Sequence, residues 1–242
     1  MQEVLNIIRK RQSARIPFDS KRPVAKEDLR QILEAGRWAP TAHNMQNFDI
    51  ILVDDKKVLD AIGRIESTVS ETFIRENLQQ LSFSEEELIK KKVGILGTIF
   101  PPTWRTPGYK PDKDTDSRKP IQTSPILLIV VYDPGRRAPA SEGDFLGIVS
   151  LGCIMENMWL MANALGISFH VVSATSTDLV EKEIKSILNV PDHLKIPFAF
   201  RLGYPVPPAT KYPRVRRDIE DFTHLNRFGN KFKDFQDLRS DL

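Results

Sequence analysis

The segment Ile8-Arg9-Lys10-Arg11-Gln12-Ser13-Ala14-Arg15-Ile16-Pro17-Phe18 places four cations within the seven residues Arg9 to Arg15. It follows a short helical pattern, with Val4, Leu5, Ile7 and Ile8 as apolar positions, and runs into an extended Ile16-Pro17-Phe18. Positive charge at a helix C-terminus complements the helix dipole. Arginine forks with a serine hydroxyl among them also suit a phosphate group held by charge-assisted hydrogen bonds. A solvated charged face is the third use, and the segment alone leaves all three open.

Outward from this segment the chain alternates helical and extended patterns. Residues 26–39 carry Leu29, Ile32, Leu33 and Gly36 at helical spacing and stop at Pro40. Thr41-Ala42-His43-Asn44 predicts a turn, and Phe48 to Val53 a strand ending at Asp54-Asp55. Helices are expected over 56–66 and 67–80, and a capping box of Ser84 with Glu87 opens another through Lys92. From Gly94 to Thr123 regular patterning fails: five prolines and the aromatic residues Phe100, Trp104 and Tyr109 predict a long functional loop, a lid rather than a linker. Ile126 to Tyr132 is a strand apolar enough to be buried on both faces.

Residues 144–165 form the longest candidate helix, and its many apolar residues leave little polar face. Such a helix must be covered on nearly all sides, by the core or by a second subunit. Gly166 ends it. A strand over Ser168 to Val172, a helix over Asp178 to Leu188 capped by Ser176, Thr177 or Asp178, and a last strand over Phe198 to Leu202 follow. The tail from Pro207 carries a second basic patch, Lys211, Arg214, Arg216 and Arg217, and a polar, aromatic end expected to wrap over a partner subunit. No linker separates two domains. The expectation is one domain over 1–242, with 94–123 a lid-like insertion and 207–242 an arm.

The 242 residues suffice for a sizeable core, and 40% apolar with 28% charged content is ordinary for a globular protein. A net charge of +3 argues against a global affinity for nucleic acid or membrane surface. The single Cys153 excludes a disulfide framework, and the four scattered histidines show no metal-ligand spacing, so no metal is expected. The N-terminus reads as a charged helix rather than a signal peptide, and no run reaches the roughly 20 apolar residues of a membrane helix. A cytoplasmic protein is the expectation. No Walker-type loop, dinucleotide fingerprint or nucleophile-elbow pattern is present. Held phosphate would therefore need side chains, and two basic patches flanking core elements at opposite ends of the chain offer them.

Taken together these stretches resemble the nitroreductase family of FMN-dependent flavoproteins. The resemblance is carried by Ile8 to Phe18 with Pro23-Val24, by Ile32 to Phe48 around Ala39-Pro40-Thr41, and by Ser124-Pro125-Ile126-Leu127-Leu128. It continues in Gly152 to Gly166, with Asn157, Ala162 and Ala164, and in Gly203-Tyr204-Pro205 with the basic tail. It implies an α+β fold with a central, mostly antiparallel sheet flanked by helices, in an intertwined homodimer with FMN at the interface. By position it implies that Arg11, Ser13 and Arg15 hold the flavin phosphate, ribityl chain or pyrimidine side, with Gln12 nearby. Arg214 and Arg216, with Arg217 beside them, match the C-terminal pair on the phosphate. Pro40, Thr41, Ala42 and Asn44 match a loop reaching the flavin of the other subunit, and Val172, Ser173 and Ala174 pass the reactive edge of the ring. Trp104 and Tyr109 are candidate substrate contacts, and Asn77 a candidate ring contact. No side-chain catalyst is required, because the flavin carries the chemistry.

The chain departs from the family pattern at Asn47-Phe48, where Pro-Trp is usual, and at Ser173-Ala174, which lacks the glycine or acidic residue of many relatives. The implied activity is NAD(P)H oxidation with transfer to a nitroaromatic, quinone or similar small acceptor. Within the same fold the alternative is a specialised reaction such as reductive dehalogenation; outside it, a flavin carrier without turnover, or a nucleic-acid module. Aromatic residues are not interleaved with the basic patches, which disfavours the last.

Overall fold

The computed structural model describes residues 2–66, 86, 90, 119–139, 141–206 and 216–231. The expected helix over 67–80, Asn77, Trp104, Tyr109, Arg214, most of the 94–123 loop and the end of the tail lie outside these residues, as does the expected 84–92 helix except for Glu86 and Lys90, both helical. The chain divides into two units, Met1–Thr68 with Asp112–Ala209, and Val69–Pro111 with Thr210–Leu242.

Among the described residues the first unit is built on four strands, β1 (Phe48–Val53), β2 (Ile126–Tyr132), β3 (Ser168–Val172) and β4 (Lys195–Gly203), in the order β1-β2-β4-β3. All three pairings are antiparallel. Every residue of β2 is buried, as its unbroken apolar run predicts. The reason is a layer on each face. Ile126, Leu128, Val130 and Tyr132 pack with α2 (Lys26–Arg37) and α4 (Phe145–Ala164). Leu127, Ile129 and Val131 pack instead with α3 (Lys56–Gly63) and α5 (Asp178–Leu188). Alternate residues of one strand thus serve two cores. The α+β class and the antiparallel sheet agree with the expectation.

Three boundaries differ from it by two residues or more. α2 stops at Arg37, with Trp38 as its cap, because the residue before Pro40 is disfavoured in helical geometry. α3 ends at Gly63. β4 begins at Lys195 rather than Phe198, because a register shift between Val130 and Tyr132 admits one extra residue on β4. Val130 faces Phe198 while Tyr132 faces Lys195, which leaves Pro197 in the irregularity, where a missing N–H costs no ladder bond. The shift also explains why Ile196 and Ala199, three apart, share one core while Phe198, Phe200 and Leu202 fill the other.

α4 is long and apolar enough to span a membrane by length and composition, yet Leu151, Ile154, Met158 and Ala162 are buried within the unit. Its first turns are not: Phe145 is 68% exposed, Ile148 43% and Val149 47%. Gly166, at φ 73°, lets the chain leave α4 in the left-handed geometry that the sequence predicts. Asn189 does the same for α5, whose N-cap is Thr177.

The segment after α1 (Gln2–Lys10) is stitched to the sheet edge. Ala14 N–H donates to Phe169 O at 3.0 Å, Asp19 N–H to Tyr204 O at 2.8 Å and Val206 N–H to Pro17 O at 3.1 Å. These bonds give the Gly203-Tyr204-Pro205 stretch its physical meaning. A Cβ on Gly203 would lie 2.8 Å from Pro125 Cδ and 2.9 Å from Phe18 Cδ2, with ring atoms on both sides. Gly203→Ala is expected to cost about 1–3 kcal/mol by overpacking. It should appear as a lower urea midpoint with an unchanged slope.

In the second unit, among the described residues, α6 (Ile219–Phe222) opens with a reciprocal capping box between Asp218 and Asp221. The three-residue spacing of these two acids was the available sequence signal.

Candidate functional site

Arg11 to Arg15 leaves α1 and turns along β3, where Ser13 bridges Phe169 in parallel. α4 holds its beginning. Trp159 Nε1–H donates to Gln12 O at 3.2 Å, the Arg11 guanidinium lies 4.2 Å over the Trp159 ring, and Arg11 Nε is 3.0 Å from Glu156 Oε1. Glu156 and Trp159, three apart on α4, share a face. Arg11 is therefore engaged by α4, an anchoring role its sequence position alone did not indicate. Ser13 is half-buried, Ala14 is buried at 5% and Arg15 is exposed, the alternation of an extended segment with one side inward.

Beneath this segment lies Arg201 of β4, with 0% exposure. Its Nε–H donates to His170 Nδ1 at 3.0 Å. One terminal nitrogen donates to Pro120 O at 2.7 Å and Ser124 Oγ at 3.2 Å, the other to Ala14 O and Ile16 O, both at 3.1 Å. The guanidinium also sits 4.4 Å over the Phe18 ring. Burial pulls Arg201 down to about 9, which leaves it a cation at neutral pH. An arginine Nε–H can only donate, so His170 Nδ1 accepts and its proton sits on Nε2. Burial first, then the positive charges of Arg201 and Arg15, hold His170 down at about 3. Neither Arg201 nor His170 was singled out from the sequence. The signal was a charge inside the otherwise apolar Phe198-Ala199-Phe200-Arg201-Leu202.

The loop of Pro40, Thr41, Ala42 and Asn44 is pinned to α4, since Ala42 N–H donates to Ser150 Oγ at 3.0 Å. Its predicted turn is tighter than usual. His43, Asn44 and Gln46 all have φ between 45° and 55°, a left-handed geometry that Asn tolerates and His and Gln seldom adopt. Thr41 Oγ1 accepts from Gln46 N–H at 3.3 Å, and Gln46 Nε2 donates to Asn44 Oδ1 at 3.0 Å. Asn47, the departure noted in the sequence, is 6% exposed and donates to Arg136 O at 3.3 Å.

At the end of β3, Val172 is buried at 1% and turns its side chain into the core, which leaves its backbone as the part to face a ligand. Ser173–Ser176 then forms one 3-10 turn, with Ser173 exposed and Ala174 half-buried. Thr175 Oγ–H donates to Val172 O at 2.9 Å and Ser176 Oγ–H to Ser173 O at 2.7 Å. The first N–H groups of such a turn have no acceptor within it, so Ser173 and Ala174 offer backbone donors. In the second unit the Arg217 guanidinium lies 5.6 Å over the Phe222 ring, and Arg216 is exposed just before α6.

The structure thus brings Arg11, Gln12, Ser13 and Arg15 together at β3, the strand that leads into Val172-Ser173-Ala174, and pins the 40–44 loop to α4. The donor set is two guanidinium groups, a hydroxyl and backbone amides, over a buried cation whose five acceptors are all uncharged. That chemistry fits an anionic phosphate with a polar ring.

The family model for the nitroreductase family matches residues 8–204. The chain belongs to the nitroreductase family. An iodotyrosine deiodinase of Thermotoga neapolitana is 25% identical over 88% of this chain and 95% of its own length. An NADPH-dependent oxidoreductase of Staphylococcus aureus is 21% identical over 94% of this chain and 74% of its own. Among solved structures, a putative NADH dehydrogenase/NAD(P)H nitroreductase from Bacteroides thetaiotaomicron superposes with TM-score 0.63 at 16% identity, covering 93% of this chain and 98% of that one. A nitroreductase with bound FMN from Bacteroides fragilis gives TM-score 0.59 at 21% identity, covering 92% and 98%. These likenesses establish the nitroreductase fold for this family member.

Proposed function

We propose that the chain is an FMN-dependent oxidoreductase that takes electrons from NAD(P)H and passes them to a nitroaromatic, quinone or related small acceptor. The observation that carries the reading is the Arg11–Arg15 segment laid along β3, with Ser13 and Arg15 turned away from the buried Ala14. The solved relative with bound FMN and the relative named as an NADPH-dependent oxidoreductase support it. Bound FMN supplies the hydride-accepting and electron-releasing chemistry. Ser13 and Arg15 would hold its phosphate and pyrimidine side, joined by Arg214 and Arg216. Arg15 would balance negative charge that builds on that side. Ser173 and Ala174 would offer backbone N–H groups to the ring edge, and Pro40, Thr41, Ala42 and Asn44 would shape the opposite wall. Donor and acceptor would use one slot in turn, in ping-pong order, and the 94–123 insertion with Trp104 and Tyr109 would form its lid. The apolar start of α4 supports a second copy covering Phe145, Ile148 and Val149, a homodimer in which the 207–242 arm wraps the partner.

The purified protein is expected to be yellow, with a band near roughly 450 nm that leaves with FMN on denaturation. Arg15→Ala and Arg216→Ala should each weaken FMN binding by about tenfold or more, the loss of one charge-assisted contact. No flavin band after FMN addition, or full retention in both variants, would refute the assignment. A second reading, reductive dehalogenation, is favoured by the deiodinase relative, which this chain matches over nearly all of its length. Halide release from an iodotyrosine under reducing conditions, set against NAD(P)H oxidation with a quinone, decides between the two. Flavin reduction without repeated turnover on either would leave a flavin carrier.

A further inference from the structure

A fully buried guanidinium is costly unless every donor is satisfied, and an apolar side chain of similar size would fill the same space at less cost. Arg201 is buried to 0%, and among the described residues all five of its hydrogen bonds go to uncharged acceptors, with no carboxylate in the set. Stability alone does not explain a cation there; its bonding pattern does. One nitrogen reaches both Ala14 O and Ile16 O at 3.1 Å. Carbonyls two apart on an extended segment point to one side, so a single fork on both sets the segment's rotation about its own axis. The fork is itself held from behind, by His170 Nδ1 on Nε and by Pro120 O and Ser124 Oγ on the other nitrogen.

We propose that Arg201 is a positioning residue, which fixes the rotation of residues 14–16 and with it the face that Ser13 presents to a flavin phosphate, with His170 as the strut that orients it. The role rests on the reading of Ser13 as a phosphate ligand. Arg201 touches neither phosphate nor ring in this role; it acts through the backbone of residues 14–16. A lysine at 201 keeps the charge but lacks the planar fork that spans these acceptors. At 170, asparagine offers an oxygen close to where Nδ1 sits, whereas leucine leaves the Arg201 Nε–H unpaired.

The test is titration of the flavin-free protein with FMN and with riboflavin, followed by flavin fluorescence, with melting temperature recorded alongside. The readout is the ratio of the two dissociation constants, which isolates the phosphate. Wild type is expected to prefer FMN, and Arg201→Lys to cut that preference about tenfold. His170→Leu should reduce it several-fold and His170→Asn should restore it. A merely structural role predicts lower melting temperatures, or equal weakening of both flavins, with the ratio intact in every variant; that result overturns the proposal. If Arg201→Lys does not fold, the 170 pair decides: a lower ratio in Leu than in Asn supports it, and equal ratios overturn it. A wild type that does not distinguish FMN from riboflavin removes the phosphate reading itself, and the positioning role with it. A wild type that does, with variants that match it, removes the positioning role alone.

Discussion

Phe169→Ala is expected to lose about 3–5 kcal/mol of folding stability, the range for truncating a buried phenylalanine. Phe169 is 1% exposed and stands where three elements meet. Its ring stacks on Trp159 of α4 at 5.3 Å and 17°, and leans on Phe200 of β4 at 4.7 Å. Truncation leaves a cavity walled by two other rings, which are too rigid to collapse into it. Its carbonyl takes the Ala14 N–H, so the loss extends to the segment carrying Ser13 and Arg15. With total stabilities of about 5–15 kcal/mol usual for a domain, much of the folded population at moderate temperature is at stake. Urea unfolding measures it. A loss below about 1 kcal/mol would mean that the site is not closed as described.

The second large effect is acid destabilisation through His170. Its ordinary value of 6.5 applies in the unfolded chain, whereas in the folded state burial and the charges of Arg201 and Arg15 hold it at about 3. Between these values the unfolded chain binds a proton that the folded one refuses. Stability is therefore full above about pH 6.5 and falls as pH drops toward 3. From pH 7 to pH 4.5 the loss from this group alone is about 2–3 kcal/mol, at roughly 1.36 kcal/mol for each unit inside the window. Carboxylates add their own dependence, so the informative comparison is with His170→Asn, which does not titrate. The variant should show a shallower decline over this interval. Parallel declines would mean that His170 is protonated without penalty and does not accept from Arg201.

The elements buried on both sides were the most legible. β2 is a run of seven apolar residues, and both its bounds and its burial follow from that run. α4 was equally plain, because few polar residues interrupt it. Pairing information was not legible. The extra residue in β4 is defined only against β2, so the sequence pattern placed the strand's start three residues late. Arg201 announced itself as a charge among apolar neighbours, yet its acceptor Ala14 O is 187 residues away in sequence. Local pattern carries no trace of such a pairing. Arg11 illustrates the converse. Its place in a basic run suggested a phosphate ligand, while its engagement with Glu156 and Trp159 depends on how α4 is rotated. The turn over 41–44 was readable from Thr41 and Asn44, but left-handed geometry at His43 and Gln46 runs against residue preference and is imposed by the anchored loop.

The irregularity at Pro197 gives β4 one residue of slack. The faces alternate regularly on either side of it, with Lys195 and Ile196 before and Phe198 and Ala199 after. Loss of Pro197 alone would therefore leave every later side chain in frame, with Phe200 still in one core and Arg201 still facing His170. Loss of any single residue from Ala199 to Leu202 would instead turn half the strand over. Deletion in this strand is therefore expected to be cheap at Pro197 and costly from Ala199 to Leu202.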